Sequence, residues 1–101
     1  MFSRMSWGKI QEGKWDEFEA AFKDVVAKAG DQPGLKGRLL LRDRIDPNAG
    51  FTLSLWETEK DLRNYEKSDT MKNLVLPAVE PFFTGEYKTT FVEVRYSEVD
   101  L

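Results

Sequence analysis

Polar and apolar residues alternate along four separate segments of the chain, which is typical of strands whose two faces meet different surroundings. The four segments are residues 2–10, 35–45, 51–57 and 85–96. The second follows a Pro33-Gly34 turn, and the turn-rich loop DPNAG at 46–50 separates it from the third. A connection of that length is typical of a hairpin. The pattern therefore predicts four strands, with the second and third paired antiparallel.

A different spacing follows Gly13, where apolar side chains recur every three or four residues. The residues of this stripe are Trp15, Phe18, Phe22, Val25, Val26 and Ala29. Acidic Asp16 and Glu17 lie in the first turn and Gly30 follows the last residue, as is usual at helix ends. The spacing predicts an amphipathic helix between the two glycines.

A shorter helical pattern follows the third strand. Thr58 and Asp61 resemble a capping box, and Tyr65 belongs to a narrow apolar stripe among charged residues. Helical spacing continues beyond this stripe, but Pro77 and Pro81 must kink or end the helix because proline lacks an N–H donor. We expect most of this second helix to face water.

The order of these elements is β-α-β-β-α-β, the split βαβ arrangement of ferredoxin-like domains. We therefore predict an α+β fold with a four-stranded antiparallel sheet and both helices on one face. The other face is also apolar, because Phe51, Leu53 and Leu55 lie opposite Trp56 in the alternation of the third strand. Since two helices cover only one side, the sequence predicts a homodimer that packs sheet against sheet.

Composition excludes several classes of function. The 101 residues, with 41% hydrophobic and 33% charged positions, fit a single domain spanning residues 1–101. A net charge of −3 gives no general attraction for nucleic acids or anionic membranes. The lack of cysteine and histidine excludes disulfides, Cys/His zinc sites and proton transfer by imidazole.

The chain also lacks the sequence signals of several other classes. Its first ten residues have no continuous apolar run, so we expect neither a secretory signal nor a membrane span, and a cytoplasmic location. No Ser-His-Asp set, phosphate loop or Rossmann glycine pattern is present. We expect neither a metal nor a cofactor.

With this order established, four stretches resemble the antibiotic biosynthesis monooxygenase (ABM) group of the dimeric α/β-barrel superfamily. They are GKWDEFEAAF after the first strand, QPGLKGRLLLRD through the Pro-Gly turn, FTLSLWETEKDLRNYEKSD across the third strand and second helix, and LVLPAVEPFFTGEY before the fourth strand. Together they cover most of the chain. Each stretch also has a folding rationale, so the resemblance rests on their order and spacing.

The resemblance implies a homodimer whose sheets form a shared barrel, with a small pocket in each subunit between the helices and the sheet. Some members oxidise polycyclic aromatic substrates with O₂ and no metal or flavin, others degrade haem, and many have no assigned activity. The fold alone does not choose among these. The haem-degrading members carry a histidine at about the position of Val75 and an asparagine at about Ser6. The lack of histidine here argues against haem degradation.

Five residues are candidates for binding a small apolar or aromatic substrate: Trp56, Tyr65, Ser6, Thr52 and Ser54. Trp56 ends the third strand, where its ring either borders a cavity and donates to a bound oxygen or seals the sheet edge as core. Tyr65 has the same two interpretations. The three hydroxyl residues share the face of Trp56 if the first and third strands are neighbours. They either orient a polar ligand or are ordinary half-buried strand residues.

The second strand carries a row of cations, Lys36, Arg38, Arg42 and Arg44, on one parity. This row is solvated, bridges subunits, or binds an anion or RNA. RNA-recognition domains share the predicted element order, but Leu53 occupies a position where they carry a stacking aromatic. We therefore expect no nucleic-acid partner.

Carboxylates supply the candidate bases in a chain without histidine. Most of those on the two helices, Glu66 among them, fall on polar sides and are expected to form surface ion pairs. Glu57 and Glu80 lie beside apolar positions near the predicted pocket, and either could act as a base if it were desolvated. The catalytic residues are not identified by the sequence.

The leading hypothesis is an ABM-like homodimer that oxygenates a small apolar or aromatic substrate without a cofactor. In this hypothesis Trp56 and Tyr65 position the substrate. The hydroxyls of Ser6, Thr52 and Ser54 supply polar contacts. The alternative is a non-catalytic dimer that binds a small ligand or serves as an interaction module.

Overall fold

The computed structural model describes residues 1–100, with strands β1 (Phe2–Ile10), β2 (Leu35–Arg42), β3 (Ala49–Trp56) and β4 (Phe83–Glu93). The helices are α1 (Trp15–Ala29), α2 (Glu59–Glu66) and the short α3 (Leu76–Val79). A π-helical segment (Thr70–Val75) leads into α3, and a 3₁₀ turn (Glu80–Phe82) leads from α3 into β4. The order of elements confirms the predicted α+β fold.

The four strands form one antiparallel sheet in the order β2-β3-β1-β4. β1 lies between β3 and β4, so that Ser6 is opposite Thr52 on one side and Thr89 on the other. The β2–β3 hairpin completes the sheet. The predicted ferredoxin-like arrangement is therefore confirmed, and it brings the start of the chain beside the last strand.

β2 ends at Arg42 and not at residue 45 as predicted. The carboxylate of Asp43 ends it, because Oδ1 accepts hydrogen bonds from the backbone N–H groups of Ile45 at 2.7 Å and Asp46 at 2.9 Å. The bonds from Asp46 and Ile45 also lower the pKa of Asp43. Backbone groups that turn toward a side chain no longer extend the strand ladder.

The predicted row of four cations on β2 is wrong at two positions. Arg44 lies beyond the end of the strand. Lys36 lies at an irregularity in the β2–β3 register, where its Nζ is 3.3 Å from Oε2 of Glu57. Arg38 and Arg42 remain on the helix-covered face, opposite Ser54 and Gly50 of β3.

The core lies between the helices and one face of the sheet. Its ten buried residues are Ile10, Trp15, Phe18, Val25, Trp56, Leu62, Tyr65, Met71, Val75 and Val79. The predicted stripe of α1 contributes Trp15, whose ring packs edge-to-face on Phe18 with centroids 5.3 Å apart. The same indole lies directly over Gly50, where a Cβ would come within 2.6 Å of its Cη2. Only a residue without a side chain admits the ring so close to the strand.

The helical segments after β3 begin as the sequence predicts. Thr58 Oγ1 accepts from the N–H of Asp61 at 3.1 Å and donates to its Oδ2 at 2.8 Å, which caps α2. No helix within residues 1–100 has the length and apolar character needed to cross a membrane.

The expected kink near Pro77 takes the form of a wide turn. The N–H of Leu76 bonds to the carbonyl of Met71, five residues back, and Pro77 lies in the first turn of α3. Because proline has no N–H and its ring crowds the carbonyl four residues earlier, widening the turn keeps the chain helical where a regular helix would break. A 3₁₀ turn at Pro81 then ends the helical path.

The face of the sheet turned away from the helices is apolar. Leu39 and Leu41 on β2 are 50% and 45% exposed. They pair with Leu53 and Phe51 of β3, and Phe51 is in turn opposite Trp7 of β1. Within residues 1–100 no helix covers this continuous surface, which is called here the outer face.

Candidate functional site

A pocket of about 370 Å³ lies between the helices and the sheet, within the usual size range of small-molecule sites, roughly 300–1,000 Å³. Its roof consists of apolar and aromatic side chains from the helical segments: Trp15, Phe18, Phe22, Val26, Tyr65, Met71, Val75, Leu76 and Val79. The π-helical segment contributes Met71 and Val75 to this roof. The floor is the helix-covered face of the sheet.

Two adjacent rows of polar side chains cross the floor. The strand register aligns Arg4, Ser54 and Arg38 in one row, and Thr89, Ser6 and Thr52 in the next. Side chains directly opposite each other on antiparallel strands have Cβ atoms about 4.5–5.5 Å apart. The rows therefore form a continuous polar band, and all six residues line the pocket.

A chain of hydrogen bonds connects part of this band to α2. Arg4 Nε donates to Glu66 Oε2 at 2.6 Å, and Arg4 Nη1 donates to Ser6 Oγ at 3.0 Å. The hydroxyls of Ser6 and Thr89 share a bond of 2.6 Å. The side chain of Arg4 is only 13% exposed. In such surroundings hydrogen bonds between ionised groups are short and strong, so the guanidinium is held between the carboxylate and the hydroxyls.

Trp56 lies one layer behind the pocket. Its side chain is fully buried, and its ring stacks on Tyr65 with centroids 4.8 Å apart and 34° between the planes. Its Nε1 donates to Ser54 Oγ at 2.9 Å, so the protein itself satisfies the indole N–H. Trp56 therefore supports the Tyr65 ring and fixes the Ser54 hydroxyl, while Tyr65 and Ser54 line the cavity.

The structure thus brings four of the five predicted substrate-binding residues, Ser6, Thr52, Ser54 and Tyr65, to the surface of one cavity. The fifth, Trp56, contacts two of them from behind. Substrate binding by these residues stays a prediction.

The candidate bases are placed differently from what the sequence suggested. Glu57 is exposed and paired with Lys36, and Glu80 is an exposed residue at the margin of the pocket, so neither meets the condition of desolvation. Glu66, expected on the surface, instead lines the pocket and pairs with Arg4. The error has a physical reason. The last residue of α2 lies over β1, and the packing of a helix on a sheet cannot be read from helical periodicity.

Sequence reasoning also missed Arg4 and Thr89. Arg4 shares the parity of Ser6 on β1, which was a usable signal for a cation on the same face. Thr89 becomes recognisable only through the β1–β4 register, which the alternation of β4 does not define. Among residues 1–100 no group of three acidic side chains lies close enough to hold a metal ion.

The sequence model of the family described as Antibiotic biosynthesis monooxygenase (ABM) matches residues 1–75, which reach from β1 to the end of the π-helical segment. The chain belongs to the ABM family. All five predicted site residues of this ABM protein lie within the matched region, and Thr89 lies beyond it. No curated protein matches the chain.

Solved structures share the fold of the ABM protein over nearly its whole length. SnoaB, a cofactor-independent oxygenase from Streptomyces nogalater, is 18% identical with a TM-score of 0.79, over 98% of this chain and 97% of SnoaB. A protein from Caulobacter crescentus CB15 is 23% identical with a TM-score of 0.79, over 94% and 90% of the two chains. A conserved protein from Methanosarcina mazei Go1 is 16% identical with a TM-score of 0.77, over 90% and 89%. At these identities the likeness shows a common fold, and the chemistry has to be argued from the pocket.

Proposed function

We propose that this protein is a homodimeric, cofactor-independent monooxygenase that acts on a small planar aromatic substrate. The observation that carries the proposal is the pocket itself, in which an apolar, aromatic roof lies over a polar floor. The roof is complementary to the faces of fused rings, and the floor to oxygen atoms along one edge. Membership of the ABM family and the shared fold with the oxygenase SnoaB support this choice of reaction.

In the proposed reaction the substrate reduces O₂ itself. A ring-bound methylene loses a proton, and its carbanion transfers one electron to O₂. The resulting radicals combine to form a C–O bond, and the hydroperoxide loses water to leave a ketone. One methylene and one O₂ give one ketone and one water, so atoms and electrons balance without metal or flavin. The protein has to bind and orient the anion and exclude water.

We propose that the substrate enters the pocket already ionised. Two carboxylates line the pocket in residues 1–100, and each is poorly suited to act as a base. Glu66 is engaged by Arg4 at 2.6 Å, and Glu80 is exposed to solvent. An anthrone suits this route, because its enol is a phenol-type acid, and loss of a proton from a phenol at about pH 10 needs no strong base in the protein.

The homodimer is proposed from the outer face. Leu39 and Leu41 are about half exposed and pair with Leu53 and Phe51, and a contiguous exposed apolar patch commonly marks a protein–protein interface. A second copy covers this surface by packing its own sheet about 10 Å away. A cytoplasmic location and the lack of a nucleic-acid partner stay predictions.

Oxygen uptake tests the enzymatic part of the proposal. With a panel of anthrones, each of which carries the ring-bound methylene, we expect at least one substrate to consume one O₂ per ketone formed. Tyr65→Phe removes a hydroxyl from the pocket wall and should lower kcat/KM by about threefold to tenfold, the usual value of one hydrogen bond. Tyr96→Phe is the matched control, because Tyr96 is 78% exposed. A wild-type protein that binds these compounds without O₂ uptake would establish the alternative, a non-catalytic dimer that binds small ligands.

Sedimentation velocity tests the homodimer. The wild type should sediment as a dimer, and Leu39→Glu should produce monomers because it places a charge in the proposed interface. Ile45→Glu makes the same kind of change at a residue that is 94% exposed in the β2–β3 loop, and it should leave the dimer intact. A wild type that stays monomeric at all concentrations contradicts the proposed assembly.

A further inference from the structure

We infer that the polar floor presents hydrogen-bond donors, and that Arg4 makes the pocket selective for ligands whose oxygens accept, namely quinone-type carbonyls and phenolates. The inference deepens the proposed function, since it specifies the polar edge of the aromatic substrate. It concerns binding, and it can be tested apart from any turnover.

The first observation is the state of Ser54. A serine hydroxyl has one hydrogen to donate and accepts through its oxygen. The oxygen of Ser54 already accepts from Trp56 Nε1 at 2.9 Å, and within residues 1–100 this is its one side-chain hydrogen bond. Its own hydrogen is therefore left for a ligand in the cavity that Ser54 lines. Because the indole N–H can only donate, Trp56 fixes this polarity.

The second observation is the state of Ser6 and Thr89. Arg4 Nη1 donates to the oxygen of Ser6, and the two hydroxyls share a bond of 2.6 Å. A guanidinium can only donate, so it favours the arrangement in which Ser6 passes its hydrogen to Thr89. The hydroxyl hydrogen of Thr89 is then free to bond to a ligand. Two hydroxyl systems on adjacent rows of the floor thus have the same polarity.

The charge of Arg4 acts in the same direction. The guanidinium lies between Glu66, which is bonded to Nε, and Ser6, which is bonded to Nη1. A ligand oxygen at the hydroxyls is therefore nearer to the positive charge than to the carboxylate. Arg38 lies in the row of Ser54, but its Nη2 donates to the carbonyl of Gly30 at 3.5 Å near the surface, so Arg4 is the cation assigned to the hydroxyls. An oxyanion is stabilised here, whereas a ligand amine or ammonium group would meet donors and a cation.

Equilibrium binding of 1-hydroxyanthraquinone tests the inference against anthracene, a hydrocarbon of similar shape. The quinone already carries a ketone where the proposed reaction would form one, so it cannot be turned over during the measurement. Its phenolate has a distinct visible spectrum. We expect the wild type to bind the neutral quinone about threefold to tenfold more tightly than anthracene, as one net hydrogen bond to a carbonyl oxygen gives. The pKa of the bound phenol should lie below its value in water. A wild type that binds both probes equally, or binds neither, overturns the inference.

Two variants separate the charge of Arg4 from its structural role. Arg4→Gln removes the cation and should raise the pKa of the bound phenol, whereas Glu66→Gln removes the neighbouring anion and should lower that pKa further. Arg44→Gln, an equal change of charge at an exposed residue outside the strands, should leave it unchanged. If breaking the Arg4–Glu66 pair merely loosens the site, both variants weaken binding and the two pKa values do not move in opposite directions. That result overturns the role assigned to Arg4.

The outcome is independent of the proposed oxygenase activity. Opposite pKa shifts in a protein that consumes no O₂ would retain the donor floor and discard the monooxygenase. O₂ uptake in a protein whose variants leave the pKa of the bound phenol unshifted would retain the monooxygenase and discard the donor floor.

Discussion

Gly50 is the position at which one methyl group tests the packing that forms the pocket. A Cβ at Gly50 would clash first with the carbonyl oxygen of Leu41 on the paired strand, and it would also lie 2.6 Å from Cη2 of Trp15. Carbon atoms in ordinary contact are about 3.5–4.0 Å apart. Gly50→Ala therefore requires the β2–β3 strand pair to shift, and it also requires the indole, which is only 3% exposed, to move by about 1 Å within the core.

The expected cost follows from the rigidity of that core. Overpacking of this kind usually costs about 1–3 kcal/mol, and the lower entropy of an unfolded alanine offsets about 0.4–1 kcal/mol of it. A net loss of about 1–2 kcal/mol in a domain of this size lowers Tm by roughly 5–15 °C. The displaced Trp15 also belongs to the pocket roof, so ligand affinity should fall as well.

Gly8 provides the matched control, because it lies directly opposite Gly50 on β1. A Cβ at Gly8 would meet its nearest neighbour, Phe83, at 3.8 Å, which is ordinary contact. Gly8→Ala should therefore leave Tm unchanged or raise it by a few degrees, through the same unfolded-state effect. The measurement is thermal unfolding followed by circular dichroism, at one fixed protein concentration because a dimer's Tm depends on it. Equal Tm changes for the two variants would refute the close approach of the Leu41 carbonyl and Trp15 to Gly50.

Three further outcomes can be measured. Thr58→Ala removes the hydroxyl that accepts from the N–H of Asp61 and caps α2. It should lower the free energy of unfolding by about 0.5–2 kcal/mol in urea titrations. Two backbone N–H groups lower the pKa of Asp43, so its contribution to stability is present above the unfolded pKa and is lost as the pH falls below about 4. Asp43→Asn should reduce this dependence on acid pH, which denaturation between pH 2 and 6 would reveal. Trp56→Phe should lower stability by about 1–3 kcal/mol in the same urea titrations and release Ser54, whereas an unchanged midpoint would contradict the buried hydrogen bond.

The sequence was sufficient to predict the fold because local patterns and topology agree in this chain. The α1 stripe, the hairpin loop and the Thr58 cap each specify their own element. The β-α-β-β-α-β order then places β1 between β3 and β4. Once those strands are neighbours, the two-residue alternation is enough to put Ser6, Thr52 and Ser54 on the same face of the sheet.

The charged part of the site could not be predicted in the same way. Whether Glu66 faces water or the pocket depends on how α2 sits on the sheet, which is decided by the burial of Leu62 and Tyr65 against Trp56. Likewise the position of Trp56 at the end of β3 was consistent with a residue that borders the pocket. Only the bond from its Nε1 to Ser54 shows that its donor is already used.

The wide turn before Pro77 also bears on how such a pocket could change during evolution. A π-helical turn accommodates one extra residue within an α-helix, so the helical residues on either side of it keep the orientation that they would have without it. Loss of a single codon within residues 70–75 would therefore close the wide turn and change which side chains this segment presents to the cavity below. The roof can thus be exchanged while the strands keep their register, and a new ligand preference would not require a new sheet.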